Sequence, residues 1–233
     1  DDHLAHFYSW MAGNFEDRAA EQQDFLTRNS ILPQSSKIAF DLGAGHGLQA
    51  VPLARLGFTV KAFDFSTVLL TELNDRKGAL PIEAIEEDFR AIKNYAHLQP
   101  ELIICMGDTI SHLESEEQLE EITNLCFGIL SPGGKLVFSF RDYGFALESN
   151  SRFIPVKSDD TRIHTCFLEY LETRVRVTDL LHEKENGQWK QKVSSYWKLR
   201  LTRQGVKKLV EKTGFTVSRE EEQKRMHYLV ATK

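Results

Sequence analysis

The chain has 233 residues, 41% hydrophobic and 27% charged, which suits a soluble globular protein with one sizeable core and an elaboration. Its 34 acidic and 29 basic residues leave a formal net charge of −5, which argues against a general affinity for nucleic acid or an anionic membrane. No apolar run approaches the roughly 18 to 20 residues needed to span a bilayer, and no secretory signature opens the chain, so a cytoplasmic location is expected.

From about Leu4 to Arg28 the pattern reads as helices broken near Gly13-Asn14. Ile38–Asp41 is the first predicted strand, and a helix over Leu48–Leu56 is closed by Gly57. Phe58–Phe63 is the second strand; Ser66 caps a helix that runs to about Lys77 and stops at Gly78. Ile82–Ile85 is a third strand, and the wholly apolar Leu102–Met106 a fourth, suited to burial on both faces. Ser115–Leu130 carries a helical stripe, Pro132-Gly-Gly ends it, and Lys135–Phe140 is the fifth strand. Such alternation predicts a parallel sheet with right-handed crossovers.

The pattern then changes. Arg162–Leu171, Arg174–Glu183 and Gln188–Leu201 read as an antiparallel unit, with Asn186-Gly187 as a two-residue hairpin turn. A helix over Arg203–Thr213 and strands at Phe215–Ser218 and His227–Thr232 close the chain. The expected fold is a Rossmann-like, doubly wound, seven-stranded, mainly parallel α/β sheet, with N-terminal helices and an antiparallel β insertion after the fifth strand. It is expected as one domain over 1–233, with 1–34 as a helical lid and 143–201 as the insertion. The three cysteines, Cys105, Cys126 and Cys166, lie far apart without a CxxC pair, so neither a disulfide framework nor a metal site is expected.

The first strand runs straight into Asp41-Leu-Gly43-Ala-Gly45-His-Gly47 and a helix. Glycines there allow positive φ and let a ligand lie against backbone with no Cβ in the way. A dinucleotide fingerprint needs a glycine or alanine three residues after Gly45, where this chain has Leu48, and no phosphate-cradling P-loop is present. An acidic residue opens the loop instead, as expected for a ligand with an ammonium and no pyrophosphate. Asp64, 17 residues after Gly47, ends the second strand, where a carboxylate can accept both hydroxyls of a ribose. Asp88 follows the third strand, placed either to accept from an adenine amino group or to cap a helix.

Together these motifs and Leu130-Ser-Pro-Gly-Gly-Lys-Leu resemble those of class I S-adenosylmethionine-dependent methyltransferases over about residues 35–142. The resemblance implies S-adenosylmethionine as cofactor, held by Asp41, Gly43, Gly45, Gly47, Asp64, Phe65, Asp88 and Phe89. Gly107-Asp108…His112-Leu, Arg141-Asp-Tyr143 and the lead-in Met11-Ala-Gly13…Arg18-Ala-Ala-Glu21 are similar to the glycine N-methyltransferase group. By that analogy Arg18 would bind the methionine carboxylate, the Met106 carbonyl its ammonium, Tyr8 would cover the cofactor, and Arg141 would hold a substrate carboxylate. Asp108, His112 and Tyr143 are the candidates to take or orient a proton. Asp108 stands where that group has an amide, and an ionised Asp attracts a cation and repels a carboxylate. Glycine is therefore not assigned as acceptor; a small-molecule amine or amino-acid nitrogen is expected, with an oxygen acceptor or a non-catalytic binding protein as alternatives. The basic stripe Lys198, Arg200, Arg203, Lys207 and Lys208 reads as a solvated face. No nucleic-acid or membrane partner is expected, and the insertion is a candidate homodimer contact.

Overall fold

The structure is a computed structural model that describes residues 5–233, with side chains from residue 7 onward. Leu4, where the first helix is expected to begin, lies outside the described residues. Helices α1 (Ala5–Ala12) and α2 (Phe15–Arg28) are separated at Gly13-Asn14, where the Asn14 side chain accepts from the Asp17 N–H and caps α2.

Strands β1 (Ile38–Leu42), β2 (Thr59–Asp64), β3 (Ile82–Glu86), β4 (Leu102–Cys105) and β5 (Lys135–Phe140) run parallel. Two further strands, numbered in chain order β10 (Thr216–Gln223) and β11 (Met226–Thr232), complete a seven-stranded sheet. Its order is β10-β11-β5-β4-β1-β2-β3, with β11 antiparallel to β5. The sheet is covered on one side by α3 (Ala50–Arg55) and α4 (Thr67–Lys77) and on the other by α5 (Glu116–Ile129) and α6 (Arg203–Lys212). The chain leaves β1 toward β2 on one flank and returns as β4 on the other. That reversal opens a crevice at the carboxyl ends of these strands, the place where such sheets bind ligands.

Between β5 and α6, strands β6 (Phe153–Ser158), β7 (Arg162–Tyr170), β8 (Arg174–Glu185) and β9 (Gln188–Leu199) form a separate antiparallel sheet. Asn186 (φ 51) and Gly187 (φ 79) both take the left-handed conformation of the two-residue turn expected there. One face of this sheet presents His164, Cys166 and Leu168 from β7, Val177, Asp179 and Leu181 from β8, and Tyr196 and Lys198 from β9. This face turns inward: Leu168, Val175 and Val177 pack on Tyr143 at the mouth of the crevice. The opposite face exposes Ile163, Trp189, Val193 and Trp197.

Three elements differ from expectation. Helix α3 begins only at Ala50, because residues 46–49 are drawn into the turn that follows the glycine loop. Strand β6 was not expected: it carries Pro155 and occupies the sheet edge, where a missing N–H costs no ladder bond. Strand β10 runs five residues further than predicted, through Arg219-Glu-Glu-Glu-Gln, the charged sequence of an exposed edge strand.

Candidate active site

The loop after β1 is pinned to the end of β2. The N–H groups of Gly43 and Ala44 donate to the Phe63 carbonyl at 2.8 and 2.9 Å, and Gly45 N–H donates to Asp64 Oδ2 at 2.7 Å. The three glycines serve different ends. A Cβ on Gly43 would stand 2.4 Å from Thr109 Cγ2 and one on Gly47 2.3 Å from Leu73 Cδ1, so both are required by packing. At Gly45 the nearest atom to a Cβ would be Leu69 Cδ1 at 3.8 Å, leaving its face open to a ligand.

Two carboxylates flank this open face. Asp41 is buried and its Oδ2 has no hydrogen-bond partner. Burial, and then the Asp64 carboxylate, push the Asp41 carboxyl up from 3.8 to about 8, against an Ala50 N–H that pulls it down. Asp64 Oδ1 accepts from Ser66 N–H at 2.8 Å, so its two oxygens brace the loop while each keeps a lone pair for a further donor. Burial raises this carboxyl too, in the face of its backbone N–H donors. Phe65, next in the chain, is 69% exposed, an open ring beside the loop.

Asp88 caps the 3₁₀ stretch Phe89–Leu98, accepting from Arg90 N–H at 2.8 Å, and its carboxylate also takes the Arg90 guanidinium at 2.8 and 2.9 Å. The helix-cap reading of this residue is therefore realised, and an adenine amino group would share its oxygens with Arg90. Phe89 is half-buried against the main core.

Past β4, Met106 carbonyl accepts the Thr109 hydroxyl at 2.8 Å, and Asp108 turns back into the protein with φ 74. Asp108 is almost wholly buried, and its carboxylate accepts from Lys198 Nζ (2.5 Å), Arg141 N–H (2.9 Å) and the Tyr143 hydroxyl (3.3 Å). Burial alone would raise this carboxyl, but the Lys198 ammonium outweighs it and holds it below the ordinary range. This corrects two expectations. The cation that Asp108 attracts is Lys198 of the chain itself, and Lys198 is not part of a solvated stripe but lies buried at the inner end of β9. Tyr143 is buried, and desolvation, with Asp108 beside it, holds its proton on. An ionised Asp108 and a neutral Tyr143 are poor proton acceptors; both fix the wall instead.

His112 faces solvent from within a dense surround, its ring stacked on Tyr196 at 5.4 Å and 20°. That surround, followed by the nearby Lys198 charge, lowers the imidazole to about 4, so it is neutral at physiological pH. Arg141 is exposed and makes no ion pair among the described residues.

Helix α1 closes the crevice from above. Tyr8 and Phe15 meet the buried His46 ring edge-on at 5.3 and 5.4 Å. Desolvation raises the Tyr8 hydroxyl, as does Asp64, while Lys198 and Arg18 pull it down. Tyr8 therefore feels the glycine loop, the insertion and α2 at once. Ser9 bonds Glu72 of α4, and Trp10 donates to Asp159 of the insertion at 2.5 Å. Arg18 pairs with Glu21 at 2.5 Å and stays a third exposed. Tyr8 thus lies within electrostatic reach of Arg18, Asp41 and Asp64, and Asp108 gathers Arg141, Tyr143 and Lys198 with His112 nearby, whereas the Asp88–Phe89 pair stands apart with Arg90. Sequence reasoning missed Lys198, Tyr196 and His46. The signal for the first two was the strict alternation of β9, which sets them on the face opposite Trp197 and Val193.

The description of a methyltransferase domain matches residues 39–134. The glycine/sarcosine N-methyltransferase of Halorhodospira halochloris is 26% identical over 137 residues, 58% of this chain and 51% of that one. The chain thus spans about half the length of the curated relatives it matches. Among solved structures, an amino pentose methyltransferase from Micromonospora echinaspora superposes with a TM-score of 0.72 at 14% identity, covering 94% of this chain and 91% of that. A sugar N-methyltransferase from Streptoalloteichus sp ATCC 53650 gives 0.71 at 13% identity, covering 97% and 91%. These structural likenesses show the fold. The domain match, the curated relatives and the loop after β1 together support a class I S-adenosylmethionine-dependent methyltransferase.

Proposed function

We propose that this protein transfers the methyl group of S-adenosylmethionine to the nitrogen of a small-molecule amine. The observation that carries this reading is the unpartnered, buried Asp41 oxygen beside the open face of Gly45. An acid so placed asks for a cationic group and a backbone that lets it approach, which the α-ammonium of the cofactor's methionine part supplies. Asp64 would take the ribose hydroxyls, Phe65 would lie on the adenine, Asp88 and Phe89 would border it, and Met106 carbonyl and Arg18 would meet the amino-acid end.

When bound, S-adenosylmethionine supplies an electrophilic sulfonium methyl. The protein's part is to bring the acceptor in line and keep water out, an arrangement worth up to about 7–11 kcal/mol of barrier. Tyr8 would close over the crevice and Tyr196 would wall its far side. His112, neutral, would accept a hydrogen bond from the acceptor N–H and so favour the unprotonated amine that can react. Asp108, Lys198 and Tyr143 act as positioning residues: they hold the backbone of Arg141, whose free guanidinium suits an acidic group on the acceptor. The acceptor panel should include amines, amino acids, amino sugars and phenols, incubated with methyl-labelled cofactor. Label on a nitrogen is expected; label confined to a phenol oxygen, or binding without transfer to any acceptor, would overturn the assignment.

A further inference from the structure

On the inner face of the insertion, within electrostatic reach of Lys198 and Arg141, three metal-ligating side chains meet, two of them buried and Cys166 half-buried. His164 and Cys166 alternate along β7 and so share a face, and Asp179 is the register partner of Cys166 on β8. His164 is 1% and Asp179 0% exposed. His164 Nε2 lies 2.9 Å from Asp179 Oδ1 and 3.6 Å from Cys166 Sγ, and Cys166 Sγ lies 2.9 Å from the same Asp179 oxygen. The cluster is poorly satisfied as it stands. Asp179 Oδ2, His164 Nδ1 and the Ser194 hydroxyl, which sits across from Asp179 on β9, are all buried without a hydrogen-bond partner. Native proteins rarely leave such atoms orphaned together unless water, an ion or a ligand fills the gap.

We infer that His164, Cys166 and Asp179 form a binding site for a borderline divalent transition-metal ion, zinc foremost. Three observations favour an ion over a plain hydrogen-bond cluster. A thiol is a weak donor, ill-suited to be one of two partners of a fully buried carboxylate. The charges close: a divalent cation with one carboxylate, one thiolate and one neutral imidazole sums to zero, which suits a site whose His164 and Asp179 are buried and whose Cys166 is half-buried. The donor set of imidazole, thiolate and carboxylate is one that zinc takes. Donors around a tetrahedral zinc stand about 3.5 Å apart, so the two separations to Asp179 would open by roughly 0.6 Å when an ion enters. Ser194 stands ready on the same face for the fourth position. On binding, the S–H bond of Cys166 breaks, its proton passes to solvent and the sulfur lone pair goes to the metal; no electron transfer is involved. Burial and the neighbouring Asp179 hold the thiol protonated until then. Phe7 of α1 meets the His164 ring edge-on at 5.1 Å, so an ion here would brace the insertion directly beneath the helix that closes the crevice.

The test uses the full chain, stripped with chelator and titrated with Co²⁺, alongside Cys166→Ser and His164→Gln. Circular dichroism confirms that the variants are folded. The wild type is expected to develop a thiolate-to-cobalt charge-transfer band that Zn²⁺ abolishes. It should also keep about one zinc per chain after desalting and melt at a higher temperature with zinc than without. Cys166→Ser should lose the band, and both variants should lose the retained zinc and the thermal shift. A wild type that shows no band and retains no more zinc than Cys166→Ser overturns the assignment. This outcome is independent of whether the crevice binds S-adenosylmethionine, which calorimetry reads separately.

Discussion

If Asp41 receives the cofactor's ammonium, binding must expel its proton. With the carboxyl pushed up to about 8, roughly nine in ten Asp41 side chains are protonated at pH 7 in the free protein. An acid raised on folding works against stability as pH climbs: the folded chain retains a proton that the unfolded chain gives up near 3.8, so stability falls between there and about 8. A cation that pairs with ionised Asp41 offsets this loss, and its affinity rises with pH over the same interval. The dissociation constant for S-adenosylmethionine should therefore tighten up to about tenfold from pH 6 to pH 7, or about 1.4 kcal/mol, and level off above pH 8. The cofactor's own amine, losing its proton, would act in the opposite direction and cannot produce this slope. Titration calorimetry in buffers of different ionisation enthalpy reads the affinity and the released proton together. Asp64, also raised by burial, adds to the slope, so Asp41→Asn is the control that isolates one carboxyl. A wild-type affinity that is flat from pH 6 to 8, or a slope that survives in Asp41→Asn, would refute the reasoning.

The Asp108–Lys198 pair gives a second prediction. Lys198→Met leaves a buried carboxylate without its cation and should cost about 3–5 kcal/mol in urea unfolding, whereas Lys198→Met with Asp108→Asn should recover most of that loss; additive costs would show that the two are not coupled. Because Asp108 is depressed and Lys198 raised, the pair stabilises across neutral pH. Its contribution is lost only as pH falls below the usual carboxylate range or climbs beyond that of an amine. Gly47→Ala drives a methyl into Leu73 and should destabilise by about 1–3 kcal/mol. Gly45→Ala meets nothing closer than 3.8 Å and bears mainly the strain of its φ of 53, so it should destabilise less than Gly47→Ala and weaken cofactor binding more than folding. Equal melting temperatures for the two would contradict the division of roles within the loop. Arg141→Ala should raise KM for an acceptor that carries a carboxylate and leave a neutral amine unaffected; an unchanged KM for both removes Arg141 from substrate binding.

The sheet was legible because most of its parallel strands are short apolar runs followed by a helix signal, and β1 leads into glycines whose spacing departs from the dinucleotide and P-loop fingerprints. The edges were harder. Pro155 in β6 and the run of charges in β10 hide strands that pair on one side only. In the site, Asp41, Gly45 and Asp64 could be placed because they lie within 24 residues of chain and one βαβ unit. Lys198 could not, because its partner Asp108 lies 90 residues away and only packing of the insertion on the crevice brings them together. The same holds for His164, Cys166 and Asp179: the two-residue spacing on β7 is visible in sequence, but the third ligand depends on the β7–β8 register.

The central claim is that the loop after β1 and the carboxylate at the end of β2 hold S-adenosylmethionine, and calorimetric titration of the wild type against Asp64→Ala and Gly45→Val tests it most directly. The expected result is saturable binding of about one cofactor per chain in the wild type and none in either folded variant. Wild-type affinity in both variants would contradict it.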